Sequence, residues 1–170
     1  MTSLLVVMGV SGTGKTTVGR LLAERLGLPF VEGDDFHDPE NVARMRAGQP
    51  LDDAARGPWL DRLNGVLRYA GAHGGVVVAC SALTAAYRRR LTVGAKGVRF
   101  VFLHADEQVL RRRIEARRGH YAGVALLPSQ LATLEPPSRD EAVAVDVSGR
   151  VDEVVDHAVR AVRDTGAAPA

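Results

Sequence analysis

Gly9-Val10-Ser11-Gly12-Thr13-Gly14-Lys15-Thr16 follows the apolar run Leu4-Leu5-Val6-Val7-Met8 and leads into Thr17-Val18-Gly19-Arg20-Leu21-Leu22. Side chains in such a turn would keep the backbone from closing around phosphate oxygens, and glycine at 9, 12 and 14 removes that obstacle. The turn opens a helix, whose free N–H groups and positive dipole end favour a bound anion. Strand, glycine-rich turn and helix together read as a P-loop, in which Lys15 reaches the β- and γ-phosphates and the Thr16 hydroxyl ligates Mg²⁺. Gly9, Ser11, Gly12, Thr13, Gly14, Lys15, Thr16 and Thr17 are therefore expected to hold a nucleoside triphosphate, ATP foremost.

Working outward, Val18, Leu21, Leu22 and Leu26 predict a helix from about 14 to 25, closed by Gly27. Leu28-Pro29-Phe30-Val31 predicts a short strand that ends in Glu32-Gly33-Asp34-Asp35-Phe36-His37, where a parallel strand delivers acids beside the P-loop. A short helix over 41–46 is broken by Gly48-Gln49-Pro50. A longer helix starts near Pro58, with Trp59, Leu60, Leu63, Val66, Leu67 and Ala70 on one stripe and Gly71 to Gly75 ending it. Val76 to Cys80 reads as a central strand covered on both faces. A basic helix over 84–91, a strand over 98–103 and a helix capped by Asp106 follow. The stretch from Gly119 to Gln130 has two glycines, a proline and no strong period, which predicts a mobile segment. A last strand over 142–146 and a helix marked by Val151, Val154, Val155, Ala158, Val159 and Val162 complete the pattern. Strands alternating with helices predict an α/β fold: a doubly wound parallel sheet of about five strands flanked by helices. One domain over 1–164 and a frayed tail over 165–170 are expected.

The 170 residues are 46% hydrophobic and 25% charged, ordinary for a globular chain, and the net charge of +2 is too small to argue for nucleic acid or membrane. A single cysteine, Cys80, makes neither an internal disulfide nor a cysteine-based metal site. The first apolar segment lacks a basic flank and runs straight into the P-loop, so it reads as a strand and not a signal peptide. With no run of membrane-spanning length, a cytoplasmic enzyme is expected.

Phosphoryl transfer also needs an acid beside magnesium, a group to orient the acceptor oxygen, and cations for the moving charge. The strand ending in Cys80-Ser81 lacks a terminal aspartate, so Glu32, Asp34 and Asp35 are the nearest set. Asp34 is the choice for the acceptor hydroxyl and Glu32 for the magnesium shell, with the division between them open. Arg113 and Arg117, four apart, share a helix face, suited to stacking on adenine or clamping phosphate. Arg111 and Arg112 read as a solvated basic face. His37 and His120 flank the two functional stretches, and each could equally be a polar loop residue. A nucleotide-dependent nucleic-acid-binding module is the competing class, but the basic helices lack interleaved aromatics.

From Met8 to about Pro137 the chain resembles the small P-loop gluconokinases, relatives of shikimate kinase and the nucleoside monophosphate kinases. The resemblance rests on the P-loop, on Gly33-Asp34-Asp35-Phe36-His37, and on Gly48-Gln49-Pro50-Leu51 with Arg56 and Pro58-Trp59-Leu60. It continues in Cys80-Ser81-Ala82-Leu83 with Tyr87-Arg88, Arg117-Arg118-Gly119-His120, Leu126-Leu127-Pro128-Ser129-Gln130 and Thr133-Leu134-Glu135-Pro136. Such enzymes move the γ-phosphoryl of ATP to the 6-hydroxyl of D-gluconate, with Mg²⁺ as cofactor; a kinase of another small polyol or hydroxy acid, such as shikimate, is the alternative. The resemblance implies that Asp34 meets the acceptor hydroxyl, that His37, Arg56, Arg88 and His120 hold the acceptor, and that residues 119–130 are a lid. It also implies small-molecule substrates and a homodimer. Three positions depart from the family pattern: Ala55 stands in place of an aspartate, Thr84 in place of a lysine, and Tyr121-Ala122 in place of a phenylalanine-led pair.

Overall fold

The computed structural model describes residues 3–117 and 121–165. Its strands are β1 (Ser3–Met8), β2 (Phe30–Glu32), β3 (Gly75–Ala79), β4 (Val98–His104) and β5 (Ala142–Asp146). Its helices are α1 (Lys15–Leu26), α2 (Pro39–Arg46), α3 (Asp53–Gly71), α4 (Ala85–Thr92), α5 (Glu107–Ala116), α6 (Tyr121–Thr133) and α7 (Val151–Thr165), with a 3₁₀ turn at Gly33–Phe36.

Alternation along β1 sends Leu4, Val6 and Met8 to one face and Leu5 and Val7 to the other, and all five are buried because both faces are covered. β1 is the middle strand of a sheet ordered β2-β3-β1-β4-β5, parallel throughout. On one face Trp59, Leu60, Leu63 and Leu67 of α3 and Leu91 of α4 pack against Val6, Val78 and Phe100. On the other, Val18 and Leu22 of α1 join Val154, Val155, Ala158 and Val162 of α7 over Val7, Val77 and Val101. The chain leaves β1 toward the α1 face and leaves β3 toward the α4 face. A crevice therefore opens between their carboxyl ends, where doubly wound sheets bind ligands.

Three expectations need correction. α3 begins at Asp53, not near Pro58, because the Asp52 side chain accepts from the Ala55 N–H at 2.8 Å and caps the helix five residues earlier. Pro58 is carried inside it, at the cost of one backbone donor. Residues 121–133, read as aperiodic, form α6. The helix has almost no polar side because it lies against both α5 and α2, so no amphipathic stripe was there to be seen. Asp106 stands at the start of α5, but its side chain makes no capping bond; its backbone carbonyl accepts from Val109 and Leu110. Residues 166–170 of the expected tail lie outside the described residues.

Candidate functional site

The P-loop joins β1 to α1 at the crevice, and its shape depends on close backbone approach. A Cβ on Gly9, whose φ is +147°, would meet the Leu103 carbonyl at 2.6 Å. Thr13 is buried and its hydroxyl donates to the Val10 carbonyl at 2.8 Å, so this side chain braces the loop from within. Lys15 donates to the same carbonyl at 3.2 Å. Burial lowers the pKa of the Lys15 ammonium; Asp34, Cys80 and Glu32 act against that shift. A triphosphate would return the charge stabilisation that burial removes.

Gly12, Thr13, Gly14 and Thr17 line a cavity of about 280 Å³ together with Arg113, Arg117, Val147 and Gly149. The structure thus brings both predicted arginines to the P-loop. The Arg113 guanidinium donates to the Val147 carbonyl in the loop after β5, which fixes one edge of this cavity.

A second cavity, about 500 Å³, lies on the other side of Lys15 and is lined by Ser11, Lys15, Asp34, Asp35, His37, Arg46, Arg56, Trp59, Ser81 and Gln130, among others. Asp34 reaches it because the turn after β2 is pressed onto β3. A Cβ on Gly33 would lie 2.2 Å from the Ala79 carbonyl, and Trp59 Nε1 donates to the Gly33 carbonyl at 2.7 Å. The two acids stand in different surroundings. The Thr16 hydroxyl donates to Glu32 Oε2 at 2.5 Å, whereas Asp34 is 71% exposed toward the crevice.

Hydroxyl and carboxylate oxygens are the donors a hard cation such as Mg²⁺ takes, with phosphate and water completing its shell. Among the described residues no group of three or more histidine, cysteine, aspartate or glutamate side chains could hold a metal by itself. Thr16 and Glu32 therefore suit an ion that arrives with the nucleotide.

His37 stacks on Trp59 with ring centroids 4.1 Å apart. Its Nε2 is 3.9 Å from Asp34, beyond hydrogen-bond reach, and its buried Nδ1 has no partner. Burial pushes the pKa of this imidazole down, and the nearby Asp34 charge only partly offsets it. Arg56 uses its Nε on the Leu51 carbonyl at 3.0 Å and lies over the Tyr87 ring, leaving the rest of the guanidinium for the cavity. Tyr87 in turn bonds to Asp53 through its hydroxyl.

Arg88 does not belong to this site. Only 2% exposed, it pairs with Glu141 at 2.6 Å and donates to the carbonyls of Ala82, Leu83 and Glu135, so it joins α4 to the segment before β5. Its basic character suited an anionic acceptor, but a guanidinium this buried and spent on Glu141 and three carbonyls is not presented to that cavity. His120 lies outside the described residues. Cys80 is buried and its thiol is pushed up to about 12, as fits a core residue.

Arg46, Ser81 and Gln130 line the second cavity and were not among the predicted site residues. Arg46 ends the short basic helix α2 and its side chain has no partner among the described residues. Gln130 Oε1 accepts from the Ser11 N–H at 2.7 Å. Two of the family departures also find reasons: Thr84 caps α4 by accepting from the Tyr87 N–H, and Ala55 contributes only backbone, to Asp52 and Asn41.

Residues 4–137 match the family model described as AAA domain. The chain is 48% identical over 159 residues to a gluconokinase of Gluconobacter oxydans, covering 92% of this chain and 89% of that protein. It is 39% identical over 161 residues to the thermosensitive gluconokinase of Escherichia coli, covering 92% and 86%. The crystal structure of a gluconokinase from Sinorhizobium meliloti superposes with a TM-score of 0.86 at 44% identity, covering 96% and 93%. An APS kinase of Mycobacterium tuberculosis shares the fold, with a TM-score of 0.70 at 21% identity over 95% and 98%.

Proposed function

The chain belongs to the gluconokinase family, and from that premise we propose that it transfers the γ-phosphoryl group of ATP to the 6-hydroxyl of D-gluconate, giving 6-phospho-D-gluconate and ADP. The observation that carries this reading is that Lys15 of the phosphate cradle and Asp34 line one cavity together with Arg46 and Arg56. A donor site, a proton acceptor and cations for an anionic acceptor meet there.

The acceptor's 6-oxygen attacks the γ-phosphorus while its proton passes to the Asp34 carboxylate. The bond from that phosphorus to the oxygen bridging to the β-phosphate breaks, and ADP leaves with the electron pair. Lys15 holds the β- and γ-oxygens as charge shifts between them, and the P-loop N–H groups cradle the remainder. Thr16 and Glu32 would hold the shell of a Mg²⁺ ion, which when bound neutralises phosphate charge. Arg113 and Arg117 flank the nucleotide's base and ribose, while Arg56 and His37 hold the acceptor. α6 roofs the acceptor cavity and keeps water from competing with the sugar acid.

Among the described residues no helix is long and apolar enough to cross a membrane. A cytoplasmic setting, where ATP is abundant, is the one this reading requires, and the homodimer that the resemblance implies is checked by sedimentation.

ADP release with Mg·ATP, measured against D-gluconate, shikimate, glucose, AMP and no acceptor, tests the assignment. Stimulation by gluconate alone is expected. Equal stimulation by none of them, or a preference for shikimate, overturns the acceptor.

A further inference from the structure

We propose that Gln130 donates a hydrogen bond to the phosphoryl group in transit, and that the Ser11 N–H sets which end of its amide faces the cavity. A backbone N–H can only donate, so the carbonyl end of the Gln130 amide must face Ser11, at 2.7 Å. The partner thereby fixes the amide's orientation. Nε2 and its two N–H groups have no partner among the described residues, and Gln130 lines the same cavity as Lys15 and Asp34. Ser11 belongs both to the phosphate cradle and to that cavity's wall. The free amide donors therefore stand at the border that the γ-phosphoryl crosses on its way to the acceptor oxygen.

The segment that carries it is anchored on both sides along the chain. Leu127, three residues earlier, is fully buried with Val10, Leu110 and Ile114. Five residues later, Glu135 accepts from the Ala85 N–H at 2.8 Å and donates its own N–H to the Leu83 carbonyl at 2.9 Å. A neutral donor fixed in advance where charge develops costs no reorganisation during transfer, which is how such donors accelerate reactions. Gln130 is on this argument a catalytic residue. The competing role is that of an anchor tying α6 to the P-loop.

Two substitutions separate the roles, because they alter the two ends of the amide differently. Gln130→Glu keeps an acceptor for Ser11 and places negative charge where the donors were. Gln130→Ala removes both ends. Steady-state kcat and KM for gluconate are measured at saturating Mg·ATP, with Tm and nucleotide Kd as controls; Gln130→Met replaces the alanine variant if that one unfolds.

Donation predicts that kcat falls about 100-fold in Gln130→Ala and further in Gln130→Glu, with KM for gluconate little changed. An anchor predicts the reverse order, so a glutamate variant as fast as the alanine variant, or faster, overturns the proposal. The inference rests on the gluconate reading, and wild-type turnover distinguishes their failures. If the wild type leaves gluconate unphosphorylated, that reading fails, and the same order read on acceptor-free ATP hydrolysis decides the role of Gln130.

Discussion

The nucleotide cradle and the proposed acceptor cavity lie on either side of Lys15, yet they are built by opposite means. The cradle rests on one continuous stretch, of which Gly12, Thr13, Gly14 and Thr17 line the first cavity, with Arg113 and Arg117 added from α5 and the residue after it and Val147, Gly149 and Val154 from the chain beyond β5. The acceptor cavity is nearly all side chain, gathered from the turn after β2, from α2, α3 and α6, and from the loop after β3. Backbone cradles tolerate little change: Gly9, Gly12 and Gly14 all have positive φ, and at the first two a Cβ would also collide. Side-chain pockets can exchange members while the scaffold stays put.

The largest expected effect tests whether the two halves meet at Asp34. Asp34→Asn should lower kcat by about 10²–10⁴-fold while leaving the nucleotide Kd near the wild-type value. Parallel loss of nucleotide affinity would show that Asp34 belongs to the cradle instead.

Next in size is a contrast between two arginines. Arg88→Ala removes one partner of an ion pair whose other member, Glu141, is partly solvated, and it orphans three carbonyls. A stability loss of about 3 kcal/mol in denaturant unfolding is expected, with KM for gluconate unchanged in the folded enzyme. Arg56→Ala should do the converse, raising KM by roughly 10–100-fold with a smaller change in stability. An unaltered KM in Arg56→Ala would remove this residue from the acceptor half.

The smallest effect is a pH dependence. Because burial holds the His37 pKa below its ordinary 6.5, protonation is disfavoured in the folded state. The stability that neutral His37 contributes is complete above pH 6.5 and declines as pH falls through the depressed pKa. The Tm of wild type should therefore drop more between pH 7.5 and pH 5 than that of His37→Gln; equal drops would assign the acid sensitivity to other groups.

The same contrast governs what could be read from the chain beforehand. Sheet, strand sequence and cradle were legible because contiguous residues specify them: an apolar run, three glycines, a lysine and a threonine. Glu32 and Asp34 were legible as a cluster, but which of them the Thr16 hydroxyl meets was not, because that depends on the geometry of the turn after β2. Arg88 was misread because charge alone does not reveal whether a guanidinium faces solvent, ligand or protein; its partner Glu141 lies 53 residues away. Gln130 was passed over for the same reason, since its bond to Ser11 spans 119 residues. A signal for α3's true start did exist in Asp52, and the proline six residues later drew attention from it.

Gly33 carries a lesson for anyone redesigning the enzyme. With its carbonyl held by the Trp59 indole and its α-carbon seated against the Ala79 carbonyl, the turn that bears Asp34 takes its position from the centre of the sheet. Residues of α2, and those of α6 other than Gln130, can then be exchanged to accommodate a longer or differently charged acceptor while Asp34 keeps its register with Lys15. Libraries that randomise those positions and leave Gly33, Trp59, Gln130 and β3 fixed would search substrate scope without sampling the loss of chemistry.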